Sequence, residues 1–391
     1  RIAIDKTAPG IEVIYNNNNP SNGKYYNDVR TATVRVYERN FDKDGVTFDF
    51  TGTDGASPSV SGWTIGDSAG RSDNNVSTCT ITYSADSDYT FTMAVTDKAG
   101  NKSELGRTDA FTIDRTKPVI SVAFDSNSVN GKYYNKTRTA TITVNEHNFD
   151  AAGFSAEVSA TVNGKSVQAP SLSGWSHNGD IHTATIQFSE DADYSFILNC
   201  TDLAGNKADT YTQENFTVDA NAPEIEFFDI EDGSANNGIV APGVRFTDVN
   251  FSSNNIVMTL KGLKHKEVEV TGDYTAITGG GQVKLSDFKH EAAEDDIYTL
   301  TAKVTDLAGN ETEKSITFSV NRFGSNYSFD EKTETYLLGY YQNKPSELVI
   351  YETNVDSLKS KGISVIYDGS AINLSADAFK VEDVSEKNDW K

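Results

Sequence analysis

A six-residue phrase recurs three times in this chain, as TDKAGN at residues 96–101 and as TDLAGN at residues 201–206 and 305–310, at intervals of 105 and 104 residues. Self-similarity at a fixed period implies a string of like units, each one a supersecondary block that repeats along the chain. Two more anchors keep the same order. An acidic residue, any residue, Asn and then an apolar residue occur at Glu38, Asn40 and Phe41, at Glu146, Asn148 and Phe149, at Asp248, Asn250 and Phe251, and at Glu352, Asn354 and Val355. A short joint running from Asp to Pro appears at Asp5–Pro9, Asp114–Pro118 and Asp219–Pro223. Domains usually hold roughly 100–150 residues, so a chain of 391 residues is long enough for three or four of them. The anchors divide it into a tail of a preceding unit at 1–5, repeats at 6–114, 115–219 and 220–320, and an incomplete fourth repeat at 321–391, whose TDxAGN phrase is missing.

Between anchors the apolar residues alternate with polar ones. Thr31-Ala32-Thr33-Val34-Arg35-Val36-Tyr37, Thr139-Ala140-Thr141-Ile142-Thr143-Val144 and Tyr298-Thr299-Leu300-Thr301-Ala302-Lys303-Val304 each read as a strand with one buried and one wet face. The runs are rich in Thr, Val, Ile, Tyr and Phe and are bounded by Asn-Gly, Asp-Gly and Ala-Gly-Asn turns, which gives about seven short antiparallel strands per unit. Seven strands in ~100 residues is the pattern of an immunoglobulin-like sandwich, so the expected fold is all-β, a set of tandem immunoglobulin-like antiparallel β-sandwiches placed end to end. Helical periodicity is nearly absent, with only Val355–Lys361 suggesting a short helical turn.

Charge removes whole classes of partner. With 34 Lys plus Arg against 57 Asp plus Glu, a net charge of −23 repels phosphate backbones and anionic lipid surfaces. Neither nucleic acid nor membrane insertion is expected. Cys79 alternates with Ile81 and Cys200 with Leu198, and the two fall at different places in their repeats, so both read as core residues rather than as a disulfide. His147, His177, His182, His265 and His290 share no metal spacing, and no nucleophile motif or cofactor loop accompanies them, so no catalytic residue is assigned and no cofactor is expected.

The proline-ended joints, alternating strands and D-x-A-G-N hairpin resemble the bacterial Ig-like repeat domains of Gram-positive surface proteins. The resemblance covers Asp5 to Val320 well and the remainder in part. It implies a non-enzymatic array that is extracellular, on a bacterial cell surface or secreted. The third repeat lacks the Asn-Gly-Lys-Tyr-Tyr-Asn segment found at Asn22–Asn27 and Asn130–Asn135, which confines any role of that segment to the first two repeats.

On such a sandwich the loop carrying Glu38, Glu146 or Asp248 and the loop carrying Asp97, Asp202 or Asp306 meet beside the preceding joint, so three acidic groups converge at each boundary. The favoured reading is a set of turn and joint acceptors, Asp114, Glu146 and Asp202 at one boundary and Asp219, Asp248 and Asp306 at the next, since Asp readily accepts from nearby backbone N–H groups. Ca²⁺ held by the same six residues is the weaker alternative, because that ion takes six to eight oxygens and only about three carboxylates meet at each boundary. Tyr25-Tyr26 and Tyr133-Tyr134 are candidates for stacking on a sugar or partner protein, with packing at a sheet end preferred. Trp63 and Trp175 likewise read as packing residues. The leading expectation is a monomeric, semi-rigid rod well over ~100 Å long, from strands rising about 3.3 Å per residue. Its alternatives are an adhesin module for a host protein or glycan, hinted at by the Lys-rich Lys261–Lys266, and an accessory region of a secreted carbohydrate-active enzyme.

Overall fold

The structure, a computed structural model, describes residues 4–66, 75–126, 128–339, 344, 347–358, 362–375, 377 and 379–384. Residues 1–3 of the leading tail and 359–361 of the suggested helical turn lie outside the described residues. In the first repeat the strands are β1 (Gly10–Tyr15), β2 (Tyr25–Tyr26), β3 (Arg30–Tyr37), β4 (Val46–Gly52), β5 (Ser59–Val60), β6 (Val76–Tyr83), β7 (Ser87–Thr96), β8 (Lys102–Glu104) and β9 (Asp109–Ile113). One sheet has the order β1-β3-β6-β5; the other runs β2-β9-β7-β4, with β8 also paired to β7. Alternation works as the pattern requires. Along β3, Arg30, Ala32, Val34 and Val36 are buried while the residues between them are half-exposed, and β6 and β7 show the same period of two. Their inward side chains, with Phe91, Phe111 and Ile113, make one continuous core.

Both later repeats rebuild this plan. In the second, Val119–Phe124, Arg138–Asn145, Ile181–Phe188 and Ser176–Asn178 form one sheet, and Phe154–Val162, Ala192–Cys200 and Tyr211–Val218 pair in the other. In the third the corresponding sheets hold Glu224–Phe228, Gly243–Thr247, Gly280–Lys284 and Asp273–Ile277, and Ile256–Gly262, Asp296–Thr305 and Glu311–Val320. A tyrosine corner marks all three. Tyr89 Oη donates to the carbonyl of Ala85, Tyr194 to that of Glu190 and Tyr298 to that of Glu294, at 3.0, 2.8 and 3.0 Å, each reaching four residues back as this motif does in immunoglobulin sandwiches.

By their contacts the residues fall into two units, Arg1–Asn127 with Thr137–Val218, and Ser128–Lys136 with Asp219–Lys391. A short stretch, Ser128–Lys136, thus belongs by packing with the third repeat although it precedes most of the second in sequence.

Three features differ from the sequence expectation. The Tyr25–Tyr26 strand pairs in parallel with Thr112 and Ile113, and Ala235–Asn236 pairs in parallel with Ser319 and Val320, so the third repeat keeps the strand while losing the Tyr pair. Main-chain pairing needs no particular side chain, which is why the motif and the strand part company. Val355 and Asp356 form a bend, not a helix, and the helix of this region is Glu331–Leu338. It starts there because the Asp330 carboxylate accepts from Thr333 N at 2.8 Å, with Glu331 and Glu334 at its positive end. Residues 326–329 pair antiparallel with 350–353, and 365–367 with 370–372, as two-stranded sheets. Cys79 and Cys200 are free and buried, and burial pushes their thiols up to about 11 and about 12.

Candidate functional site

The site is the joint, and it is built three times. In the second repeat, the strand Arg138–Asn145 delivers Glu146 and Asn148 into the turn that follows it, and the strand Ala192–Cys200 ends just before Asp202. Leu203 N donates to Asn148 O at 3.0 Å, which fastens the two turns to each other. Asp114, at the end of β9, enters between them. Its carboxylate accepts from Asn148 Nδ2 at 2.8 Å and from Thr116 N at 3.1 Å, while its carbonyl accepts from Asn206 Nδ2 at 2.9 Å. Glu146 Oε1 accepts from Asn148 N at 2.7 Å, and Asp202 accepts from Asn206 N and Nδ2, both at 2.9 Å.

Asn148 and Asn206 therefore act as cross-ties. Each residue spans two carboxylate-bearing residues, one on the linker and one in its own turn: Asn206 does so with its side-chain amide alone, Asn148 with its side-chain amide to Asp114 and its backbone N–H to Glu146. Gly205 closes the turn with φ near +90°, the left-handed conformation that glycine adopts without a Cβ penalty.

The first and third repeats reproduce the bonds. Asn40 Nδ2 donates to Asp5 at 2.5 Å and Asn40 N to Glu38 at 2.7 Å, while Asn101 Nδ2 holds Asp97 at 2.8 Å. In the third, Asn250 Nδ2 donates to Asp219 at 2.6 Å and Asn250 N to Asp248 at 2.6 Å. Asn310 Nδ2 donates to Asp306 and to the carbonyl of Asp219, each at 2.8 Å.

Each triad brings three carboxylates within 4.8 Å of one another, at Asp5, Glu38 and Asp97, at Asp114, Glu146 and Asp202, and at Asp219, Asp248 and Asp306. Gathering like charges where water is scarce favours protonation. Burial, aided by the charges of Asp114 and Asp202, pushes the Glu146 carboxyl up to about 7. Burial likewise raises Asp114, against the pull of its bond from Asn148. At Asp5 the balance reverses, and the donors Thr7 N and Asn40 hold the carboxyl below its usual range. Such a cluster has the hard carboxylate oxygens that a Ca²⁺ ion takes, and five of the six at Asp114, Glu146 and Asp202 already accept an N–H.

Sequence reasoning missed two supports. His182, buried on the neighbouring strand, donates from Nε2 to the carbonyl of Glu146 at 2.7 Å and stacks on Phe149, and its Nδ1 lies 2.7 Å from Nδ1 of His177. Arg322 was also unmarked; its guanidinium reaches the carbonyls of Gly238, Phe288 and Lys289 and the carboxylate of Asp287.

Tyr26 and Tyr134 are buried, and Tyr25 and Tyr133 half-buried. Trp63 lies 4.8 Å from Phe41 and Trp175 4.7 Å from Phe149, ring centre to ring centre. Lys261–Lys266 is anchored by Asp296, whose buried carboxylate accepts from Lys264 N and from His265 N and Nδ1. Beside it lies a cleft of about 440 Å³.

The family described as bacterial Ig-like domain (group 3) matches residues 183–321, and a second bacterial Ig-like domain family matches residues 66–115. Over these two stretches the chain matches bacterial Ig-like domains. The two matches span the TDxAGN turns at residues 96–101, 201–206 and 305–310 and the linker at Asp219–Pro223. Domains of this family are typical of extracellular and surface proteins, and among the described residues no helix is long and apolar enough to cross a membrane. No curated protein sequence matches the chain. Similar solved structures include an ICAM-5 ectodomain fragment, at 9% identity over 82% of this chain and 80% of that one with a TM-score of 0.38. Others are a tetra-tandem repeat from the extending region of a large adhesion protein, at 17% identity over 83% and 77% with a TM-score of 0.34, and a titin Ig tandem pair, at 9% over 51% and 96% with a TM-score of 0.25.

Proposed function

We propose that this bacterial Ig-like array is a non-enzymatic spacer of a surface protein, in which each linker is tied to the repeats it joins instead of swinging free. The observation that carries this reading is the linker at Asp114–Pro118. Asp114 N donates to Tyr26 O at 2.9 Å, Arg115 N and Thr116 Oγ1 bond Asp86 at 3.1 and 2.7 Å, and these three contacts lie in the first repeat. The Asp114 carboxylate and carbonyl are gripped by Asn148 and Asn206 of the second. Pro118 further limits the backbone. A linker tied on both sides transmits force and orientation; a free one of the same length transmits neither. Small-angle scattering of the full chain tests this. Asn148→Ala with Asn206→Ala should broaden the distribution of conformers that fits the profile, and an unchanged distribution would refute the spacer reading.

The cleft in the third repeat favours a second reading, a module that holds a host protein or glycan. It is lined by Leu260, His265, Val268, Phe288 and Tyr298, aromatic and apolar walls with an imidazole among them. Screening the chain and its Val268→Asp variant on a glycan array separates the two, because a spacer shows no retention that depends on Val268.

A further inference from the structure

The loops ahead of Tyr25–Tyr26 and Tyr133–Tyr134 make the same turn in the first two repeats. Ser21 N donates to Tyr25 O at 3.0 Å and Val129 N to Tyr133 O at 2.8 Å, and bridges join Asn22 to Tyr25 and Asn130 to Tyr133. Ser21 and Val129 thus hold equivalent positions. Each rests on a glycine of the next TDxAGN turn. A Cβ built on Gly205 would stand 2.9 Å from Ser21 Oγ and 3.4 Å from Ser21 Cβ, and one built on Gly309 would stand 2.7 Å from Val129 Cγ1. Gly100, in the first repeat's turn, has nothing within 4 Å of the same point. Its φ of +88° nonetheless matches the +90° of Gly205 and the +86° of Gly309.

Backbone conformation alone explains a glycine, or an Asn, at all three turns. It does not explain why a short uncharged side chain from the repeat before is seated against two of them. We propose that the glycines of the second and third D-x-A-G-N turns, Gly205 and Gly309, are sockets for the loop residue of the preceding repeat, so that the Ser21 and Val129 positions determine how closely these two joints seat. This rests on the spacer reading and adds to it a contact separate from the carboxylates. Those bonds hold the linker, whereas the socket holds one repeat's loop against the next repeat's turn. The partner it fits is another repeat of this kind that presents a small uncharged residue at that loop position; a long or charged residue has no room there.

Asn substitutions test the socket, because Asn tolerates the left-handed conformation and leaves the turn intact while adding bulk. In the full chain, Gly205→Asn should speed amide exchange of Arg115 and Thr116 by about tenfold through easier local opening. Gly309→Asn should do the same at Asn221, and Gly100→Asn should change neither. Ser21→Trp, which leaves the turn untouched, should reproduce the effect of Gly205→Asn. Equal effects from Gly100→Asn and Gly205→Asn at Arg115, or no effect from Gly205→Asn and Ser21→Trp, would overturn the proposal. If Arg115 and Thr116 exchange at open-loop rates in the unaltered chain, it is the spacer reading that fails instead.

Discussion

The joints at Asp219 and Asn321 stand at the two ends of the same repeat and are held in opposite ways. At Asp219 the linker is gripped by the repeat that follows it, through Asn250 and Asn310. At Asn321 an amide replaces the carboxylate and bonds Asn354 Oδ1 at 2.7 Å and Asp356 at 2.8 Å, while Ser319 Oγ also donates to Asp356. No triad gathers there among the described residues. Its firmest hold is backward, where Arg322, with a side chain only 2% exposed, reaches three carbonyls and Asp287 of the repeat that precedes it. The difference teaches that the carboxylates serve the joint only where a TDxAGN turn arrives to receive them, and that an arginine does the anchoring where it does not.

That contrast is broken most severely by removing the arginine. Arg322→Ala removes hydrogen bonds to three carbonyls and to Asp287 together with the packing of a buried side chain, and should cost about 2–4 kcal/mol. Urea unfolding followed by a reporter in the third repeat would show it, and a change under about 0.5 kcal/mol, typical of a surface position, would mean the clamp is idle.

Asn206→Ala should come next, at about 1–3 kcal/mol, because it removes the one side-chain amide that donates both to the Asp202 carboxylate and to the carbonyl of Asp114. The matching Asn101→Ala should cost less. Asn101 Nδ2 reaches the Asp5 carbonyl only at 3.5 Å, and Asp5 is half-exposed, so water can replace what is lost. Comparing the two by thermal unfolding at one pH isolates the joint's share; equal losses would show that Asn206 serves only its own turn.

Acid sharpens the comparison further. Glu146 has a folded pKa raised from 4.5 to about 7, so the proton it holds stabilises the fold fully below pH 4.5, and that contribution is lost as pH rises through 7. Glu146→Gln keeps the acceptor for Asn148 N and removes the charge. It should raise the melting temperature above pH 7, by on the order of 2 °C, and leave it unchanged below pH 4.5. A gain that is the same at both pH values would place its origin elsewhere. The smallest effect expected is none at all. Chelator should leave the melting temperature unaltered, since N–H donors already meet the clustered carboxylates, whereas a bound Ca²⁺ would add RT ln(1 + [L]/Kd) and its removal would be visible.

What was legible in the sequence follows from what repeats. Strands such as Arg30–Tyr37 announce themselves by alternation, and Asp114, Glu146 and Asp202 could be brought together because the same three landmarks recur with their order preserved. Arg322 and His182 occur once, and their partners lie between 33 and 84 residues away in the chain for most of their bonds, so no local pattern marks them. The parallel strand at Ala235–Asn236 was hidden for a different reason, since it is held by backbone groups that every residue carries. The helix at Glu331–Leu338 depends on its Asp330 cap, a short signal of one turn that the surrounding period-two pattern obscured.

The most direct test of tied linkers is the mobility of the Arg115, Thr116 and Lys117 amides in the full chain, measured as NMR order parameters. Bonds to Asp86 on one side and from Asn148 and Asn206 to Asp114 on the other require values near the rigid-backbone level of about 0.85, and values below about 0.6, those of a flexible segment, would contradict them.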